Sequence, residues 1–307
     1  MFQPVKWSVA LVVLCASIVT VQPVGAASTA RKLPVVATFS ILGDVAKQVG
    51  GDTIRVTTLV GPDGDAHTFE PSPQDSILIK QAQLIFEIGL HFETWLEKFY
   101  EVSESQAVRV VVSEGLSLLS AEHEDDHDVD PHIWHDVQNI IHITQRVRDA
   151  LIQVAPAQAD RYRANATQYI EALQGLDAWV VDQVQSLPAS HRKLVTAHDT
   201  FGYFAKRYGF TVVGTALEGF STEAAEPSAG AVAALVNRIT AEGVPAIFAE
   251  NTHNSKLIQR IARETGVQLP PPLYTDALGP PGSAGATFIE MMRYNVTTIV
   301  NALQPQN

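Results

Sequence analysis

The longest periodic stretch of the chain is YRANATQYIEALQGLDAWVVDQVQSL, residues 162–187. Its apolar side chains recur at steps of three and four residues, which is the period of an amphipathic helix; they are Tyr162, Ala166, Tyr169, Leu173, Leu176, Val180, Val184 and Leu187. Pro156 suits a first helical position and Pro188 suits a stop. The pattern predicts a helix over residues 156–187, about 45 Å long, which is enough to run the height of two lobes. The alternative is an ordinary long surface helix inside one domain.

On either side of this helix, short β-rich runs alternate with helical patterns, which is typical of parallel α/β sheets. Before the helix, strands are predicted at residues 34–39, 54–60, 84–88 and 108–112, and helices at 41–49 and 94–103. After it, strands are predicted at 193–197, 211–215 and 246–249, and helices at 201–208, 229–241, 255–265 and 286–303. The predicted fold is therefore α/β with two lobes, residues 33–155 and 188–303. Each lobe is a parallel sheet flanked by helices, and a single long rigid helix joins them.

Residues 1–26 have the pattern of a cleaved secretory signal peptide. Lys6 precedes a short apolar run at residues 9–21, and Val-Gly-Ala at 24–26 supplies small residues for cleavage. The run is short for a membrane anchor. Cys15, the only cysteine, follows Val13 and Leu14, where a lipoprotein site has small residues. We therefore expect a periplasmic protein without a lipid anchor and without disulfides.

The charge balance is acidic, with 21 Lys and Arg against 33 Asp and Glu, a net charge of −12. This argues against nucleic acid as a partner and agrees with cation capture, although simple solubility explains the charge equally well. The acidic stretch at residues 122–128 contains His123 and His127 and has no apolar period. We expect a mobile loop there. A solvated connector is the favoured interpretation, and a low-affinity metal collector beside His132 is the alternative.

Four candidate metal ligands lie in four separate predicted loops, and they are His67, His132, His198 and Asp276. His67 and His198 follow predicted strands and Asp276 follows a short extended run at residues 272–275, and in open α/β sheets ligands bind outside the carboxyl ends of the strands. Two candidates belong to each predicted lobe, so a cleft between the lobes is where they converge. Three imidazoles and one carboxylate form a complete set of ligands for a borderline divalent cation.

Neighbouring residues indicate how these loops are stiffened and shielded. Pro71 and Pro73 follow His67 and Pro131 precedes His132, which restricts the backbone. Trp134 is a candidate shield against water. Glu250 either orients a ligating imidazole or has a purely structural role, and His135 is expected to cap a helix or to support His132 rather than to bind the metal itself.

Together these motifs resemble the zinc- and manganese-binding periplasmic solute-binding proteins of metal ABC transporters, over essentially the whole mature chain. The resemblance is carried by the segment from Pro62 to Pro73, Asp-Pro-His-Ile-Trp at 130–134, and the run from His198 to Gly209. Phe-Ala-Glu at 248–250, Tyr-Thr-Asp-Ala-Leu-Gly-Pro at 274–280 and Met-Arg-Tyr-Asn at 292–295 complete it. It implies two α/β lobes joined by one long helix, with the family's ligand positions falling on His67, His132, His198 and Asp276.

The resemblance also implies a function, which is to capture a divalent ion in the periplasm and deliver it to an ABC permease. No catalysis is expected, and the protein is expected to be a monomer. Zinc is the favoured metal and manganese the alternative, because many manganese-specific relatives carry Glu where this chain has His198. Many zinc-specific relatives instead carry a long His-rich loop, which is short here. A secreted zinc-dependent hydrolase is the alternative of another class, but a fourth protein ligand and the lack of a His-Glu-x-x-His stretch argue against it.

Overall fold

The computed structural model describes residues 1–5, 32–120, 129–223, 226–252 and 254–305. The chain divides into two units, Met1–Arg31 and Lys32–Asn307, and the second unit carries all the elements below. The predicted cleavage site and the acidic stretch at 122–128 lie outside the described residues.

Most predicted strands and helices are confirmed, with ends that move by a few residues. The strands are β1 (Leu33–Phe39), β2 (Ile54–Val60), β3 (Leu84–Glu87), β4 (Val108–Val111), β5 (Lys193–Thr196) and β6 (Thr211–Thr215). The helices are α1 (Ser40–Gly50), α2 (Pro73–Gln81), α3 (Leu96–Val102), α4 (Val137–Val154), α5 (Ala159–Gln185), α6 (Gly202–Tyr208), α7 (Ala229–Glu242), α8 (Lys256–Thr265) and α9 (Phe288–Leu303). Among the described helices, none is both long and apolar enough to cross a membrane.

The first four strands form one parallel sheet in the order β2-β1-β3-β4. β3 is buried along its whole length and the last five residues of β1 are buried, as expected for central strands covered on both faces. Because the strands are parallel, their carboxyl ends share one edge of the sheet. The loop that follows β2 at this edge contains His67.

The second half contains a smaller parallel sheet, in which β5 pairs with β6 across the α6 connection. The predicted strand at residues 246–249 is wrong as a regular strand, because only isolated bridges form at its ends, Ala246 with Gln268 and Glu250 with Leu273. The segment still runs beside β5, since the Phe248 N–H donates to Val195 O at 2.9 Å. The two bridges are isolated, so they do not form a continuous β-ladder. The segment nevertheless continues the sheet beside β5 and leads to Glu250.

The long helix α5 has 27 residues and is about 40 Å long. It begins at Ala159 rather than Pro156, because Pro156–Gln158 forms a separate 3-10 turn. Its predicted apolar stripe is buried, and it packs against α1 and α4 of the first half and against α6 and α9 of the second. A helix that contacts both halves agrees with a joining role rather than with a surface position in one domain. The lobe boundaries at residues 155 and 188 remain a prediction.

Candidate metal centre

His67 is held by its own loop and by the aromatic side chains beneath it. Its backbone N–H donates to Asp65 Oδ1 at 2.9 Å, a local turn closed by a carboxylate two residues earlier. Its ring meets Phe92 edge-on with centroids 4.7 Å apart. The carbonyl of the preceding residue, Ala66, accepts a hydrogen bond from Trp95 Nε1 at 2.9 Å. The imidazole is therefore positioned by contacts within the first half.

His132 precedes a short 3-10 turn, Ile133–His135, and is held by Asp130. Asp130 Oδ1 accepts the His132 backbone N–H at 2.9 Å and lies 2.8 Å from the ring Nδ1. This carboxylate assigns the proton to Nδ1 and leaves the Nε2 lone pair for a metal. Trp134 donates from Nε1 to Thr275 O at 2.9 Å, which fixes this turn against the segment that carries Asp276.

His198 follows β5 directly and is oriented by Glu250. Glu250 Oε2 lies 2.6 Å from His198 Nδ1, and Glu250 Oε1 accepts the backbone N–H groups of Ala197 and His198 at 2.9 and 3.1 Å. The hypothesis that Glu250 fixes the tautomer of a candidate ligand thus agrees with its contacts. One carboxylate sets both the backbone and the ring of this histidine.

Asp276 ends an extended segment that two asparagines clamp. Asn251 Oδ1 accepts the Thr275 N–H at 3.1 Å. Asn295 Oδ1 accepts the Tyr274 N–H at 3.0 Å, and its Nδ2 donates to Tyr274 O at 2.6 Å. The Asp276 carboxylate therefore emerges from a backbone that is fixed by side chains on both sides.

The four predicted side chains converge, with candidate ligand atoms all within 4.8 Å of one another. The Nε2 atom of His132 lies 3.4 Å from that of His67 and 3.3 Å from that of His198. Asp276 Oδ2 lies 3.2 Å from His198 Nε2 and 3.6 Å from His67 Nε2. Tetrahedral ligands about 2.0–2.1 Å from a zinc ion are about 3.3 Å apart. Four of the distances between candidate ligand atoms, 3.2–3.6 Å, are therefore close to those of a four-coordinate zinc site.

The cluster is enclosed, since His132, His198 and Asp276 are fully buried and His67 is 6% exposed. Phe39, Phe92 and Trp134 form an aromatic wall on one side, with ring centroids 5.0–5.2 Å apart. The predicted shielding role of Trp134 is consistent with this wall. Excluding water lowers the local dielectric and strengthens the attraction between a cation and these ligands.

Buried charge makes the metal-free cluster asymmetric. Burial opposes a charge on His198, but Glu250 and Asp276 outweigh it and raise its pKa well above the usual 6.5. Burial also opposes ionisation of Asp276, but the neighbouring His198 keeps the pKa of this carboxyl well below 3.8. Burial lowers the pKa of His132 well below 6.5, against the pull of Asp276. His198 and Asp276 thus form an ion pair, and His132 is neutral and ready to bind.

Two supporting residues are not found by reasoning from sequence. Asp130 is one, and its only signal is the Asp-x-His spacing that Asp65 and His67 share. Thr200 is the other, and its Oγ1 donates to Asp276 Oδ1 at 3.3 Å. The capping or supporting role predicted for His135 is wrong. Its ring stacks on Phe201 with centroids 4.6 Å apart, and neither ring nitrogen has a hydrogen-bond partner in the described part of the chain.

The fold and the buried cluster define a metal-binding protein in which two parallel sheets are joined by a long helix. The chain belongs to the family of the periplasmic component A of zinc-uptake complexes, and the family model matches residues 35–302.

Relatives of known name support this assignment. The manganese-binding lipoprotein MntA of Halalkalibacterium halodurans is 35% identical over 279 residues, 91% of each chain. The zinc-binding protein TroA of Treponema pallidum is 34% identical over 274 residues, 88% of each chain. A solved structure of that periplasmic zinc-binding protein superimposes with a TM-score of 0.83 at 32% identity, over 89% of this chain and 100% of the other. The iron-binding protein YfeA of Yersinia pestis is 32% identical over 277 residues, covering 88% of this chain and 86% of YfeA.

These similarities establish the class of function. The chain is the metal-binding component of an ABC metal-uptake system, periplasmic or exposed at the cell surface, and it is not an enzyme. The hydrolase alternative has no support among these relatives. The expectation against a lipid anchor is contradicted by relatives that are named lipoproteins, including the MntA proteins of two bacilli.

Proposed function

We propose that the protein captures zinc through His67, His132, His198 and Asp276 and delivers it to the membrane permease of an ABC transporter. The observation that carries the proposal is the convergence of the four side chains, in which His132 Nε2 lies 3.4 Å from His67 Nε2 and 3.3 Å from His198 Nε2, the spacing of ligands around tetrahedral zinc. Asp130 and Glu250 support the same reading, because each holds the proton on the far nitrogen of its histidine.

Three imidazole nitrogens favour zinc over manganese, and manganese stands lowest in the divalent affinity order. Manganese is the second candidate, because a relative that is 35% identical is named manganese-binding. It requires a further ligand, which Asp276 provides by coordinating through both oxygens. Asp276 Oδ1 lies 3.9 Å from His132 Nε2, so both oxygens face the cluster.

The proposed ligands come in pairs from the two sides of α5, with His67 and His132 before it and His198 and Asp276 after it. Separating the two pairs by a few ångströms dismantles the site, which gives the permease a means of releasing a fully buried ion. We propose the same lobe limits as before, residues 33–155 and 188–303, around the linking helix. A signal peptide at 1–26 and a monomeric state complete the proposal.

The ligand set is tested by replacing each histidine with alanine and measuring zinc affinity by competition calorimetry. His67→Ala, His132→Ala and His198→Ala each remove a direct ligand, so each loss exceeds the 10–100-fold cost of removing a supporting group. His142→Ala is the matched control, since His142 bonds the Glu114 carbonyl away from the cluster. Wild-type affinity in His198→Ala contradicts the ligand set.

A further inference from the structure

Residues 217–222 cross from the second half of the chain towards the His67 loop, and they are called the strap below. At its near end the Leu217 N–H donates to Ala197 O at 2.7 Å. Further along, Gly219 O accepts the Asp199 N–H at 3.3 Å. The strap is thus attached by backbone hydrogen bonds to the residues on either side of His198.

The far end of the strap reaches the first half through one hydrogen bond. Thr222 Oγ1 donates to Asp65 Oδ2 at 2.7 Å, 157 residues away in sequence. The other oxygen of the same carboxylate, Oδ1, accepts the backbone N–H of His67 at 2.9 Å. Asp65 therefore binds the strap with one oxygen and holds His67 with the other.

Between its two attachments the strap passes over the cluster. The ring of Phe220 lies 6.3 Å from the ring of His132, centroid to centroid. The preceding Gly219 has φ +91°, a backbone conformation that residues other than glycine rarely adopt. The strap therefore turns at Gly219 and places Phe220 beside the cluster and Thr222 at Asp65.

The carboxylates beside the candidate ligands differ in what they connect. Asp130 and Glu250 each serve a histidine of their own half, at 2.8 and 2.6 Å from its Nδ1. Asp65 alone of these three bonds a side chain of the other half. It also serves His67, the one candidate ligand with measurable exposure, at 6%. The connection across the cleft thus acts on the histidine closest to solvent.

We propose that the strap retains the metal and that Asp65 is the positioning residue that couples strap closure to His67. This inference rests on the proposed function, since it concerns how the captured ion is held and released. When Thr222 engages Asp65, the His67 loop is tied to the half that carries His198 and Asp276. When this hydrogen bond breaks, Asp65 no longer links His67 to the strap, so the ligand closest to solvent is held less firmly. The loop stays attached to the second half at Asp63, whose N–H donates to Leu278 O at 2.9 Å and whose Oδ1 accepts from Asn251 Nδ2 at 2.8 Å.

The test compares Thr222→Val, which removes the hydroxyl at nearly constant shape, with Thr222→Ser, which keeps it. Zinc-loaded protein is mixed with an excess of a chelator, and the rate of zinc release is followed. Because a hydrogen bond to a charged group is lost, release from Thr222→Val is expected to be about ten-fold faster than from wild type. Thr222→Ser is expected to release zinc at close to the wild-type rate.

Two controls separate retention from general stability. Thr240→Val makes the same change at an exposed threonine whose hydroxyl bonds only within α7, to Val236 O at 2.9 Å. The unfolding temperature of each metal-free variant is measured alongside, because a general loss of stability would lower it for Thr240→Val as well as for Thr222→Val. Asp65→Asn and Thr222→Val act on the same hydrogen bond. The double variant should therefore speed zinc release by less than the two single effects combined.

Zinc release from Thr222→Val at the wild-type rate overturns the proposal, and so does equally fast release from Thr222→Ser. If Thr222→Val does not fold, Thr222→Ala makes the same deletion in a smaller volume and is judged by the same rates. Failure of the wild-type protein to bind zinc tightly would overturn the proposed function instead, so the two failures are distinguishable.

Discussion

Replacing Glu250 with glutamine changes the candidate site without touching a proposed ligand. Glutamine has nearly the same shape, and its oxygen can still accept the N–H groups of Ala197 and His198 that now bond Oε1 at 2.9 and 3.1 Å. Its amide NH₂ then faces His198 Nδ1 in place of the Oε2 atom at 2.6 Å. Two donors cannot bond each other, so the proton of His198 shifts to Nε2, the nitrogen that should bind the metal.

The magnitude follows from the loss of a supporting carboxylate. Zinc affinity should fall 10–100-fold, about 1.4–2.7 kcal/mol. Glu250→Gln also removes a charge that raises the pKa of His198, so fewer protons should be released on zinc binding at neutral pH.

Calorimetry in two buffers with different ionisation enthalpies measures both the affinity and the number of protons released. Glu264→Gln is the matched control, because its exposed carboxylate pairs only with Arg260 on the same helix in the described structure. Wild-type affinity and unchanged proton release in Glu250→Gln would refute the reasoning.

Three further predictions concern the acidic stretch, the long helix and pH. Deleting residues 122–128 should leave tight zinc binding intact while slowing acquisition in stopped-flow mixing; loss of tight binding would mean that the stretch holds a ligand. Since α5 packs along both halves, small-angle scattering should give nearly equal radii of gyration with and without zinc, and a large contraction would contradict a rigid link. The proton on His198 must leave when zinc binds, and its pKa is raised well above 6.5. Zinc affinity should therefore fall as pH falls below that raised pKa, with proton release on binding, and an affinity that stays flat through the acid range would exclude the proposed set.

The fold was predictable where one local signal dominates. The three-and-four period of residues 162–187 predicts α5, and β-rich runs with intervening helices predict both sheets. The ends of the helices were harder to predict. Pro156, for example, fits either a first helical position or the separate 3-10 turn that it forms. The segment at 246–249 has the composition of a strand, but ladder formation depends on partners more than 20 residues away along the chain, at Gln268 and Leu273. Local composition does not encode those pairings.

The convergence of the four candidate ligands was predictable because each lies in a loop with its own motif. The carboxylates behind them were harder to assign. For Glu250 the sequence left an orienting role and a purely structural role equally open, since its partner His198 is 52 residues away. Asp130 is local to His132 and repeats the spacing of Asp65, but an aspartate two residues before a histidine is common in any loop. The link between Thr222 and Asp65 spans 157 residues and leaves no mark on either local sequence.

The most direct test of a three-histidine zinc site is a competition between zinc and manganese for the metal-free protein. An equilibrium titration with both ions in one solution gives the ratio of the two affinities. Three imidazole nitrogens and one carboxylate, all within 4.8 Å of one another, predict that zinc displaces manganese at equal concentration. Tighter binding of manganese than of zinc would contradict the account.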